Sequence, residues 1–375
     1  MPSDEHADVV IVGGGAVGAS TAYHLTELGI RDVVVIERDQ LGSGSTGKAV
    51  GGVRLQFGDE VNIRTCRRAI AELERFPEMM AACGVDVDIE LRRHGYLILL
   101  DSADDLSHFR AALAVQHALG VPSRELTPAE AGAMVPQLHL DGLVAATYCP
   151  ADGRLVPEAL VRGYAGAAAA RGVRVRQGCA VNGIRASAGA ITAVETTAGT
   201  IATDTVVCAA GTWSNEVSAH VGLELPVRGE VHWVCFCDDD GGLAHTLPLV
   251  SDFGSGFYVT REEHGLLFGG RSGSIEDLAE PAIRRLPLMA ELAVRSSWWG
   301  YYDMSPDHNA IVGAAPAVPR FFYATGFSGH GVMQSPAIGE HLAELVAGRA
   351  PTLDLQGFAL DRFAGGVPAA ERFVL

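Results

Sequence analysis

The sequence contains little positive charge. Its 375 residues include 28 lysines and arginines against 45 aspartates and glutamates, which gives a net charge of −17 at pH 7. Nucleic acids and anionic membranes bind cationic protein surfaces, so this balance argues against both as partners. Lysine is almost absent, since Lys48 is the only one in the chain. Any anionic ligand must therefore be held by a few specific basic residues.

The sequence also lacks a run of about eighteen apolar residues, so we expect no transmembrane segment. The acidic start Met1–His6 leads directly into an apolar stretch, without the basic and apolar parts of a signal peptide. We therefore expect a cytoplasmic protein. None of the 7 cysteines belongs to a CxxC pair, which argues against structural disulfides and against a metal site.

A glycine fingerprint between two apolar runs is the strongest local pattern. Val9–Val12 leads into GGGAVG at 13–18, and the run Val33–Ile36 ends at Glu37. This pattern predicts a strand, a tight turn, a helix and a second strand around a dinucleotide, with the acid accepting from ribose hydroxyls. A glycine-rich structural turn is the alternative, and NAD and FAD are not distinguished. The expected contacts are Gly13, Gly15, Ala16, Val17, Gly18 and Glu37.

Three further segments favour FAD over NAD. Residues 206–214 end a strand in small residues, the loop 42–52 is rich in glycine, and the turn 323–336 leads directly into a helix. A helix N-terminus carries a partial positive charge that suits the negative edge of a reduced flavin, a need that NAD enzymes lack. Each segment also has a simpler interpretation: residues 206–214 as a common strand end, 42–52 as a flexible surface loop, and 323–336 as an ordinary helix start.

Hydrophobic periodicity predicts an α/β chain whose character changes along its length. Helices are expected at 59–82, 103–119, 156–171, about 282–295 and about 332–347. Strands are expected at 87–91, 95–100, 173–176, 179–185, 190–196, 205–209, 227–237, 256–260, 265–270, 309–312 and 321–325. The alternation suggests a discontinuous nucleotide-binding domain, 1–85, 150–225 and 303–375, with a mainly antiparallel substrate domain, 86–149 and 226–302, inserted into it.

Segments spread over nearly the whole chain resemble one enzyme superfamily. In chain order they are VVIVGGGAVGAS, VVVIERD, GSTGKAVGGVRLQF, PADGRLVPEALVRGYAGAA, CAAGTWS, YDMSPDHNAIVG and GFSGHGVMQSPAIGEHLAELV. They resemble the FAD-dependent amine and amino-acid oxidoreductases of the D-amino-acid-oxidase superfamily. Within it, they are most similar to the branch of sarcosine oxidase and of the dimethylglycine and proline dehydrogenase β subunits. The resemblance implies a glutathione-reductase-like Rossmann domain that binds FAD, and an α+β substrate domain.

The resemblance also implies the remaining contacts to FAD. Transferred position by position, they are Arg38, Ser45, Thr46, Lys48, Val181, Ala210, Gly211, Trp213, Gly313, Gly329, His330, Gly331, Val332 and Met333. Some relatives attach flavin to a cysteine or a histidine, but Gly300 and residues 155–157 stand at those places, so non-covalent FAD is expected. A lysine that speeds the reaction with O₂ is missing near Leu267, which favours a dehydrogenase or a slow oxidase.

A carboxylate-binding arginine is implied at Arg54, because a guanidinium offers two parallel donors to a carboxylate. The lysine that accompanies it in the sarcosine branch is replaced by Met333, which leaves carboxylate recognition open. Arg261 and Arg271 flank a predicted strand pair and are possible replacements, although arginines at strand ends are usually just solvated.

Aromatic and titratable side chains complete the expected catalytic set. Tyr258 and one of Tyr301 and Tyr302 are expected in an amine pocket, where an aromatic face stabilises a cation. His330 either sets the charge beside the flavin or accepts the amine proton, or else it only fills the turn. Lys48 either remains by chance in an arginine-rich sequence or supplies a compact, titratable ammonium. The candidate catalytic residues are Lys48, Arg54, Tyr258, Tyr302 and His330.

The reaction that the resemblance implies is hydride transfer from the carbon beside an amine nitrogen to the N5 atom of FAD, which gives an imine. The substrate is then a primary or secondary amine or amino acid, and the electron acceptor is O₂, a quinone or a partner protein. Two alternatives stay open at this point. One is oxidation of a 2-hydroxy acid on the same fold, and the other is a β-type subunit of a larger electron-transfer complex.

Overall fold

Helices and strands alternate along the chain in the computed structural model, which describes residues 5–187, 189–238, 242–271 and 274–374. The helices are α1 (Ala16–Glu27), α2 (Glu60–Leu73), α3 (Phe76–Ala81), α4 (Ala103–Ala118), α5 (Pro128–Met134), α6 (Pro157–Ala170), α7 (Ser214–Ala219), α8 (Glu276–Arg285) and α9 (Gly331–Val346). The strands are β1 (Glu5–His6), β2 (Val9–Val12), β3 (Val33–Ile36), β4 (Gly52–Val53), β5 (Tyr96–Leu100), β6 (Arg124–Leu126), β7 (Ala145–Cys149), β8 (Gly153–Arg154), β9 (Arg174–Arg176), β10 (Val181–Ser187), β11 (Ala190–Thr196), β12 (Gly199–Ala202), β13 (Val206–Cys208), β14 (Arg228–Asp238), β15 (Leu249–Asp252), β16 (Tyr258–Glu262), β17 (Gly265–Gly270), β18 (Val294–Met304), β19 (Ile311–Ala314) and β20 (Phe321–Thr325). Most of the predicted acidic start, residues 1–4, lies outside the described residues.

Parallel strands form the sheet that carries the glycine fingerprint. Its order is β19-β20-β13-β2-β3-β9, and every neighbouring pair except β19 and β20 runs parallel. β2 and β3 are buried along their whole length, because α1 and α9 pack on one face and the strands β10, β11 and β12 pack on the other. Helices α1 and α9 share one apolar core with this sheet, through Leu25 and Ile338. The predicted Rossmann-type architecture is therefore confirmed.

Two glycines permit close backbone contacts around the start of α1. Gly13 has a φ of +108°, a conformation that glycine adopts without strain, and a Cβ atom there would lie 2.3 Å from the Ala209 carbonyl oxygen. A Cβ atom on Gly18 would lie 1.9 Å from the Gly13 carbonyl oxygen. A larger residue at Gly18 would push α1 away from the end of β2, and a larger residue at Gly13 would push the turn before α1 away from the end of β13.

A second sheet, of eight described strands, is mainly antiparallel. Its order is β18-β14-β17-β16-β15-β5-β7-β6, and among the described strands only β15 and β5 pair in parallel. All its strands lie between residues 96 and 149 or between residues 228 and 304. These stretches correspond closely to the two segments expected to form the substrate domain, although the domain bounds themselves stay a prediction. Two small sheets, β1-β12-β11-β10 and β4-β8, complete the described strands.

The predicted helix over 282–295 is wrong. Helix α8 ends at Arg285, and residues from Val294 onward form the long strand β18, which pairs with β14. β18 contains Trp298 and Trp299 followed by two tyrosines, and aromatic side chains fit a pleated, half-buried surface better than a helix. Tertiary pairing with a distant strand therefore decided this segment.

Three other predicted elements also differ from the structure. The helix expected over 59–82 is split into α2 and α3, with Pro77 in the first turn of α3. Residues 87–91 are not a strand. The proline-containing region before residue 150 holds β6, α5 and β7, which the periodicity did not indicate because each is short.

A buried ion pair joins three helices beneath the first sheet. On α2, Glu72 is 5% exposed, and it lies 3.2 Å from Nε2 of His24 on α1. Its other carboxylate oxygen accepts a hydrogen bond of 2.6 Å from the Tyr164 hydroxyl on α6. Burial opposes both charges, yet the pair raises the pKa of His24 above its ordinary value and lowers the pKa of Glu72. Both shifts favour the charged forms of the two side chains.

Replacing Glu72 by glutamine should lower the free energy of unfolding by about 3 kcal/mol, because it leaves the His24 charge buried without its partner. The His24 contribution is fully present below its unfolded pKa of 6.5 and is lost as pH rises through the raised folded value. The Glu72 contribution is present above 4.5 and is lost as pH falls through the lowered folded value. The difference between wild type and variant should therefore be largest between pH 4.5 and 6.5.

Urea denaturation of the FAD-saturated protein at several pH values measures this difference. Glu60→Gln is the matched control, because Glu60 pairs with Arg64 on the same helix but is 57% exposed. Its loss should cost less than about 1 kcal/mol. Equal effects of the two substitutions would contradict the predicted role of the buried pair.

Candidate functional site

A cavity of about 380 Å³ opens at the C-terminal ends of the parallel strands. It is lined by the turn before α1, the end of β3, the loop 44–49, the start of β10, residues 209–220, the end of β18 and the turn before α9. The fold thus joins segments about three hundred residues apart. The predicted residues that line it are Gly13, Gly15, Ala16, Val17, Glu37, Arg38, Ser45, Thr46, Val181, Ala210, Gly211, Trp213, Tyr302, Gly329, Gly331 and Val332.

The N-terminus of α1 faces this cavity. Gly15 is its N-cap residue and makes no side-chain cap, and the first turn contains no acidic residue. The Ala16 N–H donates a hydrogen bond of 3.1 Å to the Thr46 hydroxyl, so the loop 44–49 lies directly on the helix start. N–H groups, the helix dipole and a hydroxyl together form a surface that suits a phosphate group.

Glu37 is fixed at the end of β3. One carboxylate oxygen accepts from the Gly14 N–H at 2.8 Å, and the other accepts from the Asp39 N–H at 2.9 Å. Each oxygen keeps further acceptor capacity, which a pair of ribose hydroxyls could use. Beside it, the Arg38 guanidinium lies 3.7 Å from the ring centre of Trp213. The contact of Glu37 with ribose stays a prediction.

The turn before α9 is held in an unusual backbone conformation. Gly326, Ser328 and Gly329 have φ values of +70°, +49° and +92°. The Ser328 N–H donates to the Asp303 carbonyl oxygen at 3.0 Å, which ties the turn to the end of β18. A Cβ atom on Gly329 would lie 2.5 Å from the Tyr302 ring, so the tyrosine packs directly on this glycine.

Asp303 is a cavity residue that the sequence patterns missed. It is 7% exposed, and burial raises the pKa of its carboxyl to about 6, although the N–H groups of Phe327 and Gly326 act against the rise. Glu216 and His220, which also line the cavity, were missed too. Both residues come soon after the CAAGTWS segment and are four residues apart in the sequence. Residues at this spacing share one face of a helix, and this was the signal that could have indicated them.

Arg54 is buried next to this site, and its guanidinium has three hydrogen-bonding neighbours there. It is 2% exposed, and its guanidinium lies 4.0 Å from the ring centre of Phe57. It donates to the carbonyl oxygens of Gln56 and Phe373, and Nη2 lies 2.9 Å from Nε2 of His330. Burial raises the pKa of Tyr302, and Arg54 lies near enough to act against that rise.

His330 contacts Arg54 rather than the cavity. A guanidinium can only donate, so Nε2 of His330 accepts and the imidazole is neutral. Burial and the Arg54 charge lower the pKa of His330 well below its ordinary value of 6.5. The residue is therefore a poor acceptor for an amine proton in this arrangement, and its geometry is that of a group that orients Arg54.

A buried polar network supports the segment that carries Arg54. The Asp152 carboxylate accepts from the Leu55 N–H at 2.7 Å and from the Gln56 side-chain amide at 2.9 Å. The Thr147 hydroxyl in turn donates to Gln56 Oε1 at 2.8 Å. Burial raises the pKa of Asp152 to about 6. This network holds the two residues that follow Arg54, and no sequence pattern indicated it.

Five predicted cofactor residues are not among those that line the cavity: Gly18, Lys48, Gly313, His330 and Met333. Gly18 acts in helix packing, Gly313 pairs with Tyr323 in the sheet, and Met333 lies in an apolar core. Lys48 is exposed, and its carbonyl oxygen accepts from the Trp298 indole at 3.0 Å. Direct contact of these five with the cofactor stays a prediction.

Tyr258 also lies outside the cavity lining but close to Tyr302. It is buried, and it packs with Tyr96 in a small apolar cluster. Burial, together with the neighbouring Tyr302 and Tyr96, raises the pKa of Tyr258 well above 10.0. Tyr258, Tyr302 and Arg54 therefore occupy one region beyond the turn before α9.

Residues 8–345 match the family model DAO, described as FAD dependent oxidoreductase. The chain belongs to the DAO family. Mitochondrial sarcosine dehydrogenase of Mus musculus is 28% identical over 97% of this chain, which spans only 42% of that protein. Sarcosine oxidase subunit beta of Rhizobium meliloti (strain 1021) is 30% identical over 96% of this chain and 89% of that protein. The crystal structure of L-proline dehydrogenase from P. horikoshii is 29% identical, with a TM-score of 0.88 over 97% of this chain and 100% of that one.

These matches confirm the predicted resemblance, and with it FAD as the cofactor. The cavity residues fit FAD. The first turn of α1 faces the cavity and contains no acidic residue that would repel a phosphate. Glu37 offers acceptors for hydroxyls, and Val181 and Ala324 supply apolar walls for rings. That FAD is held without a covalent bond stays a prediction. Within the described residues, no helix is both long enough and apolar enough to cross a membrane.

Proposed function

We propose that this chain catalyses the FAD-dependent oxidation of a primary or secondary amine that carries a carboxylate, such as sarcosine, proline or a D-amino acid. The observation that supports this most directly is Arg54, a buried cation that lies beside Tyr302 at the edge of the cofactor cavity. Similar proteins are named for sarcosine, dimethylglycine and proline, which are all N-alkylated amino acids. We further propose that the predicted cavity-lining residues bind FAD.

The side chains around Arg54 would bind and orient such a substrate. Bound FAD would supply the chemistry, by accepting a hydride from the carbon beside the amine nitrogen. Arg54 would hold the substrate carboxylate through two parallel N–H donors, and neutral His330 would keep the guanidinium in place. The aromatic rings of Tyr302 and Tyr258 would contact the amine and exclude water. Asp152 and Gln56 would fix the backbone that carries Arg54.

We propose a dehydrogenase that passes electrons to a quinone or a partner protein, with a slower reaction with O₂. The position where related oxidases use a lysine falls near Leu267, which is apolar and 8% exposed on β17. Lys48, the only lysine, is exposed and lies against β18 instead. The cytoplasmic location stays a prediction.

An anaerobic screen tests the proposed reaction. Sarcosine, dimethylglycine, proline, hydroxyproline and D-amino acids are mixed with the FAD-loaded protein, and loss of the yellow flavin absorbance is followed. We expect bleaching by at least one amino acid, and much weaker bleaching by pyrrolidine, which matches proline but has no carboxylate. Bleaching by 2-hydroxy acids alone would favour the alternative reaction. Reduction by an amino acid only after addition of a co-purified protein would favour a subunit of a larger complex.

A further inference from the structure

Residues 371–374, which we call the strap, lie across Arg54 and Arg271, two of the three arginines considered for carboxylate recognition. Arg54 donates through Nη2 to the carbonyl oxygen of Phe373. Arg271 donates through Nη2 to the carbonyl oxygen of Val374, at 2.5 Å. Phe373 and Val374 are only 3% and 6% exposed, so the strap is inserted into the protein rather than laid on its surface.

Backbone contacts fix the start of the strap. The Glu371 N–H donates to the Asp307 carbonyl oxygen at 2.9 Å, and the Glu371 carbonyl oxygen lies 3.0 Å from Nδ1 of His308. The Glu371 carboxylate accepts from the Gly58 N–H at 3.0 Å and from the Phe373 N–H at 2.9 Å. These contacts place the Phe373 carbonyl directly over Arg54.

Aromatic packing holds the end of the strap. The Phe373 ring centre lies 4.3 Å from that of Phe109 and 6.4 Å from that of Phe253. The Arg271 guanidinium lies 5.9 Å from the same Phe253 ring. Aromatic packing, backbone hydrogen bonds and the two arginines therefore together hold the four residues of the strap in place.

The acceptors around Arg54 are uncharged. They are two backbone carbonyls and the neutral imidazole of His330, although the guanidinium is a buried cation. A carboxylate that replaced the Phe373 carbonyl would bring an opposite full charge to the buried guanidinium, and the attraction between two charges is screened less inside a protein than in water. A substrate carboxylate therefore has a physical advantage over the strap at this position.

We propose that the strap is autoinhibitory: in the resting protein its carbonyl groups occupy the carboxylate site at Arg54 and Arg271, and a substrate carboxylate binds by displacing it. This inference rests on the proposed function, because it takes Arg54 as the carboxylate-binding residue. It requires no chemical step in the strap itself. Its consequence is that the strap weakens the apparent affinity for every ligand that needs this site.

Titration of the FAD-loaded full chain with propionate, followed by the flavin absorbance spectrum, tests the strap without any turnover. Phe373→Ala removes the ring from its aromatic contacts, and Glu371→Ala removes the two hydrogen bonds that its carboxylate accepts. If the strap is docked in about nine molecules of ten, the apparent Kd for propionate should fall about tenfold in each variant. Val367→Ala is the control, since Val367 precedes the strap and is 62% exposed, and it should bind like wild type.

The outcomes separate the two proposals. Equal Kd values in wild type and both strap variants would overturn the strap and leave the proposed function intact. If propionate binds to none of the proteins, the carboxylate site is wrong and both proposals fail. Binding to the variants but not to wild type would support the strap. Phe373→Ala decides the test, because it changes no charge, whereas Glu371→Ala also removes a carboxyl group that interacts with Arg54.

Discussion

Gly13→Ala should yield a protein that retains little FAD after purification and is less stable than wild type. The added Cβ atom would lie 2.3 Å from the backbone carbonyl of Ala209, at a φ of +108° that alanine rarely adopts. Because the backbone fixes the position of the Cβ atom and the Ala209 oxygen is itself a backbone atom, no side chain can move aside to relieve the clash. We expect a loss of about 1–3 kcal/mol in the free energy of unfolding, with displacement of the turn that lines the cavity.

The ratio of flavin to protein absorbance, together with thermal unfolding, measures both effects of Gly13→Ala. Gly44→Ala is the matched control, because Gly44 lines the same cavity but a Cβ atom there meets nothing within 4 Å. The control should retain FAD at the wild-type level. Full FAD content in Gly13→Ala would show that the turn tolerates a side chain, and would contradict the assignment of the cavity.

Arg54→Gln should lower kcat/KM for an amino-acid substrate roughly a hundredfold, since losing a buried charged contact to the substrate costs about 3 kcal/mol. Most of the change is expected in KM, because the carboxylate contact is made before and during the reaction. Anaerobic stopped-flow reduction gives the substrate affinity and the limiting rate separately. FAD content should stay at the wild-type level, because Arg54 is not among the residues that line the cofactor cavity.

Two comparisons make the Arg54 prediction specific. Oxidation of pyrrolidine, which has no carboxylate, should change little in Arg54→Gln. Arg64→Gln replaces an arginine that is 56% exposed and pairs with Glu60, and it should have wild-type kinetics on every substrate. An equal loss with proline and with pyrrolidine would show that Arg54 supports the fold of the site instead of binding the carboxylate.

The parallel sheet was predictable because its signals are local. The runs Val9–Val12 and Val33–Ile36 are buried on both faces, and such strands form continuous apolar stretches in the sequence. Strand β18 was not predictable in the same way. Its residues 294–299 are mostly exposed, so they show no apolar run, and its pairing partner β14 lies far away in the sequence.

The residues of the candidate site also fall into those that local patterns indicate and those that depend on distant segments. Residues with a backbone role, such as Gly13 and Gly18, were found from the fingerprint, because the need for glycine arises within a few residues of chain. Asp303 and Asp152 were missed, since their burial depends on segments that fold over them. Lys48 drew attention as the only lysine, yet the structure places it on the surface beside β18.

The sequence by itself determined the dinucleotide fold and, through the order of its motifs, the family and its cofactor. Only the tertiary structure decided how Arg54 is used. Its partner His330 lies 276 residues later in the chain, and the Phe373 carbonyl lies 319 residues later. Turns and strands follow from steric and hydrophobic preferences of neighbouring residues, which the sequence displays directly. The acceptors of a buried guanidinium are fixed by packing between distant segments, and no local pattern encodes them.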